Sequence, residues 1–360
     1  MLVFGTRPEA IKMCPLVNEL KGRPAEFETV VAVTGQHREM LDQVLGVFGV
    51  APDHDLAIMR PGQTLFDVTC DALLGLKAVL EAERPDCVLV HGDTTTSFAA
   101  ALACFYLQVT VGLVEAGLRT RDIYSPWPEE FNRQAVDIVS RWYFAPTEQS
   151  RRNLLSEGKP EERIWVTGNT GIDALATTVR EGYTHPQLEW AADSRLILIT
   201  AHRRENLGEP MHHMFRAIRR VMEEHSDTKA IYPIHMNPKV RAAAHAELDG
   251  FERLRIIDPL EVLDFHNFMA ASHLILTDSG GIQEEAPGLG KPVLVMRDTT
   301  ERPEGVAAGT LKLVGTDEDV IYREFSRLLS DDEEYAAMSH ASNPYGDGHA
   351  SQRIVDVLEG

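Results

Sequence analysis

The residues able to do chemistry stand in short polar runs, each just after an apolar stretch. The first is Gly5-Thr6-Arg7-Pro8-Glu9-Ala10-Ile11-Lys12. It offers a glycine turn, backbone N–H groups at a helix start and the cations Arg7 and Lys12, a combination suited to an anion. An ordinary strand-to-helix turn with solvated charges accounts for it equally well. Neither a Walker loop nor G-x-G-x-x-G occurs in the chain. His91-Gly92-Asp93-Thr94-Thr95-Thr96 and Glu115-Ala116-Gly117-Leu118-Arg119-Thr120 follow, then Trp127-Pro128-Glu129-Glu130-Phe131-Asn132-Arg133. Asp93 has a plain alternative role as a helix N-cap. Glu129 and Glu130 have one as first-turn charges answering the helix dipole. Glu115 is harder to explain that way, because a carboxylate at the mouth of an apolar strand is partly desolvated for no structural gain. Three acidic positions converging on one edge repel and raise one another's pKa, which favours acid–base chemistry for the set.

The second half of the chain carries cations and a glycine turn. Ile199-Thr200-Ala201-His202-Arg203-Arg204-Glu205-Asn206 puts a histidine and two arginines at a strand end, and His235 in Pro233-Ile234-His235-Met236-Asn237 occupies the equivalent edge. Adjacent basic groups of this kind call for an anionic partner. The two histidines are not at metal-ligand spacing and no third ligand stands beside them, so no metal is expected. Thr277-Asp278-Ser279-Gly280-Gly281-Ile282-Gln283-Glu284-Glu285 is the sharpest signal. Its two glycines let backbone amides approach a phosphate at a helix start, and Glu285, one turn on, suits both hydroxyls of a ribose. A tight turn N-capped by Ser279 is the alternative. Arg302, in the polar run after Pro292–Met296, is a further phosphate or sugar contact. Taken together, these residues point to a nucleotide diphosphate held by the second half, with acids of the first half facing its distal group.

The elements that must position these groups are legible from period and length. Leu2-Val3-Phe4, Val30–Val33, Cys87–Val90, Val111–Val114, Trp142–Ala145 and Ile164–Val166 read as buried parallel strands. Glu9–Leu20, Gln36–Phe48, Leu65–Glu81 and Ser97–Leu107 carry helical spacing between them. A second series has strands at Leu196–Ile199, Ala230–Tyr232, Leu254–Ile257, Leu274–Leu276, Val293–Met296 and Leu311–Val314. Its helices lie at Met211–Glu224, Pro238–Leu248, Leu260–Ala270 and Ile282–Leu289, and the polar stretch Glu181–Asp193 separates the two series. Such alternation means right-handed βαβ units and parallel sheets, whose ligands bind beyond the carboxyl ends of the strands. The expected fold is α/β of the GT-B type: two Rossmann-like, doubly wound parallel-sheet domains facing an inter-domain cleft. Residues 1–180 form the domain with the carboxylates and 181–345 the nucleotide-binding domain. Residues 346–360 form a C-terminal helix packing back on the first.

Composition narrows the functional classes. The chain has 360 residues, 44% apolar and 25% charged, the balance of a globular protein of two domains. Its net charge of −20 argues against nucleic-acid and anionic-membrane partners. Cys14, Cys70, Cys87 and Cys104 form no C-x-x-C pair and fit a reducing compartment. No apolar run approaches membrane-spanning length, and a strand begins at once where a signal peptide would need room, so a cytoplasmic location is expected. On the residues alone, a nucleotide-sugar epimerase and a GT-B glycosyltransferase both fit.

The runs Gly5–Lys12, His91–Thr96, Val114–Thr120, Ser125–Arg133, Val166–Thr170, Thr200–Glu205, Leu276–Glu285 and Gly290–Gly305 together resemble the non-hydrolysing bacterial UDP-N-acetylglucosamine 2-epimerases. The resemblance runs nearly end to end. It implies interconversion of UDP-GlcNAc and UDP-ManNAc by a homodimer, with UDP as an intermediate and without metal or redox cofactor. By it, Asp93, Glu115, Glu129 and His202 correspond to catalytic residues. Arg7, Lys12, Arg133, Ser279, Gly280, Gly281, Glu285 and Arg302 correspond to substrate-binding positions, Phe265 to an aromatic near the uracil and His235 to a diphosphate contact. Some members carry a second UDP-GlcNAc pocket as an allosteric activator site. Gln36, Arg203 and His235 fit that pattern, whereas Glu39 and Gly62 stand where such enzymes tend to carry Gln and Arg. The rivals are a GT-B glycosyltransferase, the hydrolysing relative that releases ManNAc and UDP, and a catalytically silent nucleotide-sugar sensor, against which the acid set speaks. UDP must stay trapped between the two half-reactions, so closure of the domains around the ligand is expected.

Overall fold

The structure is a computed structural model that describes residues 1–35, 38–300 and 302–360. It divides into two compact units, Met1–Thr177 with Tyr345–Gly360, and Thr178–Pro344. In the first, β1 (Leu2–Phe4), β2 (Val31–Val33), β3 (His54–Asp55), β4 (Cys87–His91), β5 (Thr110–Val114), β6 (Trp142–Ala145) and β7 (Ile164–Val166) form one sheet. Its spatial order is β3-β2-β1-β4-β5-β6-β7, and every pairing is parallel. The helices are α1 (Arg7–Lys21), α2 (Arg38–Phe48), α3 (Leu65–Glu83), α4 (Thr95–Leu107), α5 (Glu129–Val139), α6 (Glu148–Ser156) and α7 (Thr170–Thr178). Strands β1 and β2 are buried along their whole length, which is why they read as continuous apolar runs rather than alternations.

The second unit opens with α8 (Pro186–Ala191), inside the polar stretch Glu181–Asp193. Its sheet contains β8 (Arg195–Thr200), β9 (Thr228–Pro233), β10 (Leu254–Ile257), β11 (Leu274–Thr277), β12 (Val293–Val295) and β13 (Leu311–Leu313). The order is β10-β9-β8-β11-β12-β13, again parallel throughout. Around it lie α9 (Glu209–Glu224), α10 (Pro238–Leu248), α11 (Val262–Ala271), α12 (Gly280–Gly288), α13 (Pro303–Ala308), α14 (Glu318–Ser330) and α15 (Asp332–Ser339). The core centres on Tyr232, Phe215 and Phe325 with Ile197, Ile199 and Leu276, each such side chain stabilising the fold by roughly 1.5–3 kcal/mol on burial. The last helix, α16 (Ala350–Glu359), belongs to the first unit, where it packs on α1 and its Asp356 and Glu359 take ion pairs from Arg23.

Both sheets reverse their strand order once. The reversal falls between β1 and β4 in the first unit and between β8 and β11 in the second. The connections at these points leave in opposite directions, which opens a crevice at the carboxyl ends of the paired strands. The residues that follow those four strands are Gly5–Arg7, Gly92–Asp93, Ala201–Arg203 and Asp278–Gly281. Topology therefore places the polar runs where α/β sheets bind ligands.

Candidate active site

In the first unit, β1 stops at Gly5, and Thr6 caps α1 through a capping box with Glu9. A side chain at Gly5 would run into the hydroxyls of Thr34 and Thr96, so only glycine lets the turn pass. Arg7 is the first residue of α1. Lys12, further along that helix, forms an ion pair with Glu115, and both side chains are largely buried. Glu115 stands just after β5 with φ +66°, a left-handed conformation that a non-glycine residue adopts at an energetic cost. Gly92 makes room for it, since a Cβ there would sit 3.1 Å from Glu115 Oε2.

Asp93 is not the N-cap of α4. Thr94 takes that position, its hydroxyl accepting from Ser97 N. The Asp93 carboxylate is instead paired with Arg133, whose other amino group lies 3.1 Å from Glu130 Oε2. Burial raises the Asp93 pKa against the opposing pull of Arg133, and the Glu115 charge raises it further. The first unit therefore holds one carboxylate with elevated proton affinity beside another that is ion-paired, an arrangement able to give and take protons. Glu129 is the first residue of α5, half-buried, one turn before Arg133 on the same helix.

In the second unit, His202 and Ser279 follow the adjacent strands β8 and β11, and Asp278 joins them. The buried Asp278 carboxylate accepts from His202 N (3.0 and 2.9 Å), Arg203 N (2.9 Å) and Asn206 Nδ2 (3.2 Å), and lies 3.1 Å from His202 Nδ1. Burial pushes this carboxyl up, but the hydrogen bonds and charge of His202 with the backbone donors outweigh it and hold it below its ordinary value. His202 thus stands with its Nδ1 edge on a carboxylate, its ring stacked on exposed His235 at 5.6 Å. Burial, and secondarily His202, lowers the His235 pKa.

Ser279 precedes α12 but makes no side-chain cap, which leaves the hydroxyl and the Gly280 and Gly281 amides directed at whatever anion the helix start receives. Gly280 lets Arg302 approach, since a Cβ there would fall 2.8 Å from its guanidinium. Arg302 is fixed by Glu284 (2.7 Å). Glu285 lies 3.5 Å from Nε2 of buried His266, whose Nδ1 contacts Thr178 Oγ1 at 2.7 Å. Phe265, the residue before His266 on α11, is half-buried. A hydroxyl, helix-start amides, Arg302, the His202–His235 pair and an anchored carboxylate are groups of the kind that can bind a nucleoside diphosphate.

The family model described as UDP-N-acetylglucosamine 2-epimerase matches residues 18–359. A Bacillus subtilis (strain 168) protein named UDP-N-acetylglucosamine 2-epimerase is 61% identical over 358 residues, covering 99% of this chain and 94% of that protein. The chain belongs to the UDP-N-acetylglucosamine 2-epimerase family. A crystal structure from Listeria monocytogenes superposes with a TM-score of 0.95 at 55% identity, covering 99% of this chain and 95% of that one. UDP-GlcNAc 2-epimerase from Neisseria meningitidis, solved bound to UDP-GlcNAc, superposes at 0.90 with 50% identity, covering 99% and 98%.

Within this epimerase-family fold, the groups that hold the strand-end residues in place are not legible as such in the sequence. Glu9 is buried and accepts from Gly5 N (3.0 Å), Thr6 N (2.8 Å), Thr94 Oγ1 (2.6 Å) and Ser97 Oγ (3.1 Å), tying the β1 and β4 turns together. Glu130, fully buried, accepts from Thr120 N (3.1 Å), Arg121 N (3.2 Å) and Gln134 Nε2 (2.8 Å) while touching Arg133. It fixes the loop after Glu115 to the helix that carries Glu129. Asp278 and His266 do the same for His202 and Glu285. Lys12 and Arg133, expected on the substrate, are paired with Glu115 and Asp93. Arg203 is anchored by its Nε on Asp278 O (3.2 Å). Gln36, expected with it in an activator pocket, lies outside the described residues. Gly62 has φ +76°, where an arginine would be strained.

Proposed function

We propose that this chain interconverts UDP-GlcNAc and UDP-ManNAc by inverting the second sugar carbon, eliminating UDP to 2-acetamidoglucal and adding it back. The observation that carries the reading is the Asp93–Glu115 pair beside the first unit's switch point, in a chain of this family. The proton on the second carbon has no neighbouring carbonyl to acidify it. Breaking the anomeric C–O bond creates an oxocarbenium-like centre, and that adjacent proton then becomes removable. One carboxylate takes the proton on one face, another group returns it on the opposite face, and the surrounding negative charge steadies the cationic centre. Asp93, Glu115 and Glu129 supply these groups.

His202, Arg7, Arg302 and the amides of Ser279–Gly281 balance charge on the departing diphosphate. His235 contacts the same group, Glu285 takes the ribose hydroxyls and Phe265 the uracil. The His202–Asp278 pairing suits this role, because a carboxylate 3.1 Å behind Nδ1 fixes the orientation of the ring.

Incubation with UDP-GlcNAc in deuterated water tests the reading by NMR. Deuterium at the second carbon of both epimers is the expected outcome. Turnover without it overturns the mechanism. One-way release of UDP with free sugar marks the hydrolysing reaction, and transfer to an added acceptor marks a glycosyltransferase.

The working form is a homodimer, paired through an apolar face of the first unit. Phe66, Tyr124 and Trp127 are 83, 77 and 63% exposed there, and with Leu65, Phe98 and Phe131 they line one groove between α3, α4 and α5. Such a patch is costly to leave in water. Phe66→Glu with Trp127→Glu is expected to shift the sedimenting species from dimer to monomer while the circular dichroism spectrum stays that of the folded chain; a wild type that sediments as a monomer at micromolar concentration removes the claim. Among the described residues no helix is long and apolar enough to cross a membrane. The thiols of Cys14, Cys70, Cys87 and Cys104 are unpaired, which fits the cytoplasm as the place of action.

A further inference from the structure

Strand β4 ends on His91, whose imidazole is 5% exposed and forms the floor beneath the acid cluster. Its Nε2 is buried and makes no hydrogen bond. In the neutral ring that carries its proton on Nδ1, Nε2 keeps a free lone pair. Charged groups reach it from two other elements. Glu115, after β5, places Oε1 3.8 Å from Nε2, and Lys12 comes from α1 onto the same carboxylate. Asp93, two residues on, is held by Arg133 from α5. Burial lowers the imidazole pKa to about 4, with Glu115 opposing and Lys12 assisting, so the ring is neutral at physiological pH.

A buried polar atom without a partner calls for a reason, and beside an acid that exchanges protons the reason is its use in another state of the protein. The ionised Glu115 has no proton to offer, and Lys12 occupies its Oε1. Once the carboxyl takes up a proton, its attraction to Lys12 weakens and its new O–H seeks an acceptor. The lone pair of Nε2 is within reach after a shift of about 1 Å, given ordinary hydrogen-bond lengths. We infer that His91 is a positioning residue of the epimerisation: its neutral Nε2 accepts a hydrogen bond from protonated Glu115 and so holds the acid in its proton-bearing state between the two half-reactions. The proton stays on the Glu115 oxygen, and the imidazole neither gains nor loses one. This rests on the reading that Glu115 exchanges a proton during turnover.

An acceptor for the protonated carboxyl raises its proton affinity, so removing the acceptor lowers it. In His91→Phe, which keeps the ring and lacks the lone pair, the limb of the kcat–pH profile that reports this acid is expected to move to lower pH by on the order of one pH unit. The value of kcat is expected to fall roughly tenfold at neutral pH, with the KM for UDP-GlcNAc unchanged. His91→Gln, whose amide oxygen replaces the acceptor, restores the wild-type limb and most of the rate. Melting temperatures and UDP binding, measured in parallel, separate this from a folding defect, and His91→Asn, too short to reach Glu115, replaces His91→Phe if the latter does not fold. An unmoved limb in the acceptor-less variant, with rate loss tracking melting temperature, reduces His91 to a packing residue. Glu115→Gln tells the two failures apart. If it keeps wild-type turnover, the role of Glu115 is wrong; if it is inactive and the limb stays put without the acceptor, the inference about His91 alone is wrong.

Discussion

Asp93→Asn and Glu115→Gln are expected to bind UDP as the wild type does and to lose turnover by ~10²–10⁴-fold, the usual worth of a positioned acid or base. Both substitutions keep the shape of the side chain. The amide oxygen that each introduces still accepts from the same cation, Arg133 at the first position and Lys12 at the second. The geometry of the two pairs therefore survives while the proton chemistry does not. For Asp93 a second signature follows from linkage. Burial raises its folded-state pKa, so the folded protein holds the proton more tightly than the unfolded chain does. Its ionisation therefore contributes nothing below the ordinary carboxyl pKa and destabilises the fold as pH rises from there through the folded value. Asp93→Asn escapes that penalty. At neutral pH it is expected to melt at or above the wild type, with the difference vanishing under acid conditions. Steady-state kinetics and calorimetry across pH read both effects. Retained turnover removes the residue from the chemistry, and a variant that is inactive because it melts lower fails the linkage argument.

How far the sequence discloses this site depends on where each partner comes from. Leu2–Phe4, Trp142–Ala145, Ile164–Val166 and Leu254–Ile257 are bounded as their apolar runs suggest. Strand β1 and most of β6 are buried, so no alternation blurs them. The edge strands β7 and β10 are legible from their apolar, β-branched and aromatic content. Strand β3, only His54–Asp55, carries no apolar pattern; it exists because Asp53 and Leu56 bond to the backbone of Val31 and Val33. Helix starts run one or two residues ahead of the periodic stretch where a cap lies upstream: α1 begins at Arg7 behind Thr6, and α4 at Thr95 behind Thr94. Helices α6 and α7 have nine residues each, too few turns for an apolar period to stand out. Strand-end residues such as Asp93, Glu115, His202 and Ser279 are legible, since an α/β sheet displays its chemistry there. The carboxylates and the imidazole behind them are not. Glu9 reaches Thr94, 85 positions away, and His266 reaches Thr178, 88 positions away. Glu130 sits one residue from Glu129 with the same side chain and a different fate, fully buried under the loop where Glu129 is half-buried. Nothing local distinguishes the two; only the return of Thr120 and Arg121 onto α5 does.

Asp278→Asn is expected to be the most damaging single exchange in the second unit. The wild-type carboxylate is fully buried and surrounded by donors from His202, Arg203 and Asn206. An asparagine there replaces an acceptor oxygen by an amino group facing N–H groups that cannot turn away, so at least one buried donor is left without a partner. Breaking such a buried, charge-assisted set costs about 3–5 kcal/mol. The sign of the pH dependence is opposite to that of Asp93. The folded Asp278 pKa lies below its ordinary value, so its contribution to stability is present above the unfolded pKa and fades as pH falls through the folded one. Urea unfolding should show a wild type that gains stability with rising pH through the acid range and a variant from which that gain is missing. Function goes with it: the turn after β8 loses the bonds that hold His202 in the position the proposed diphosphate contact requires, and UDP binding should weaken by roughly 10–100-fold, about the worth of one or two charge-assisted hydrogen bonds. His202→Ala removes the imidazole but keeps the backbone donors on Asp278, so it should weaken UDP binding while leaving most of the stability intact. If Asp278→Asn unfolds at the wild-type urea concentration and binds UDP normally, the carboxylate does not organise the turn, and the diphosphate-binding role drawn for His202 loses its structural basis.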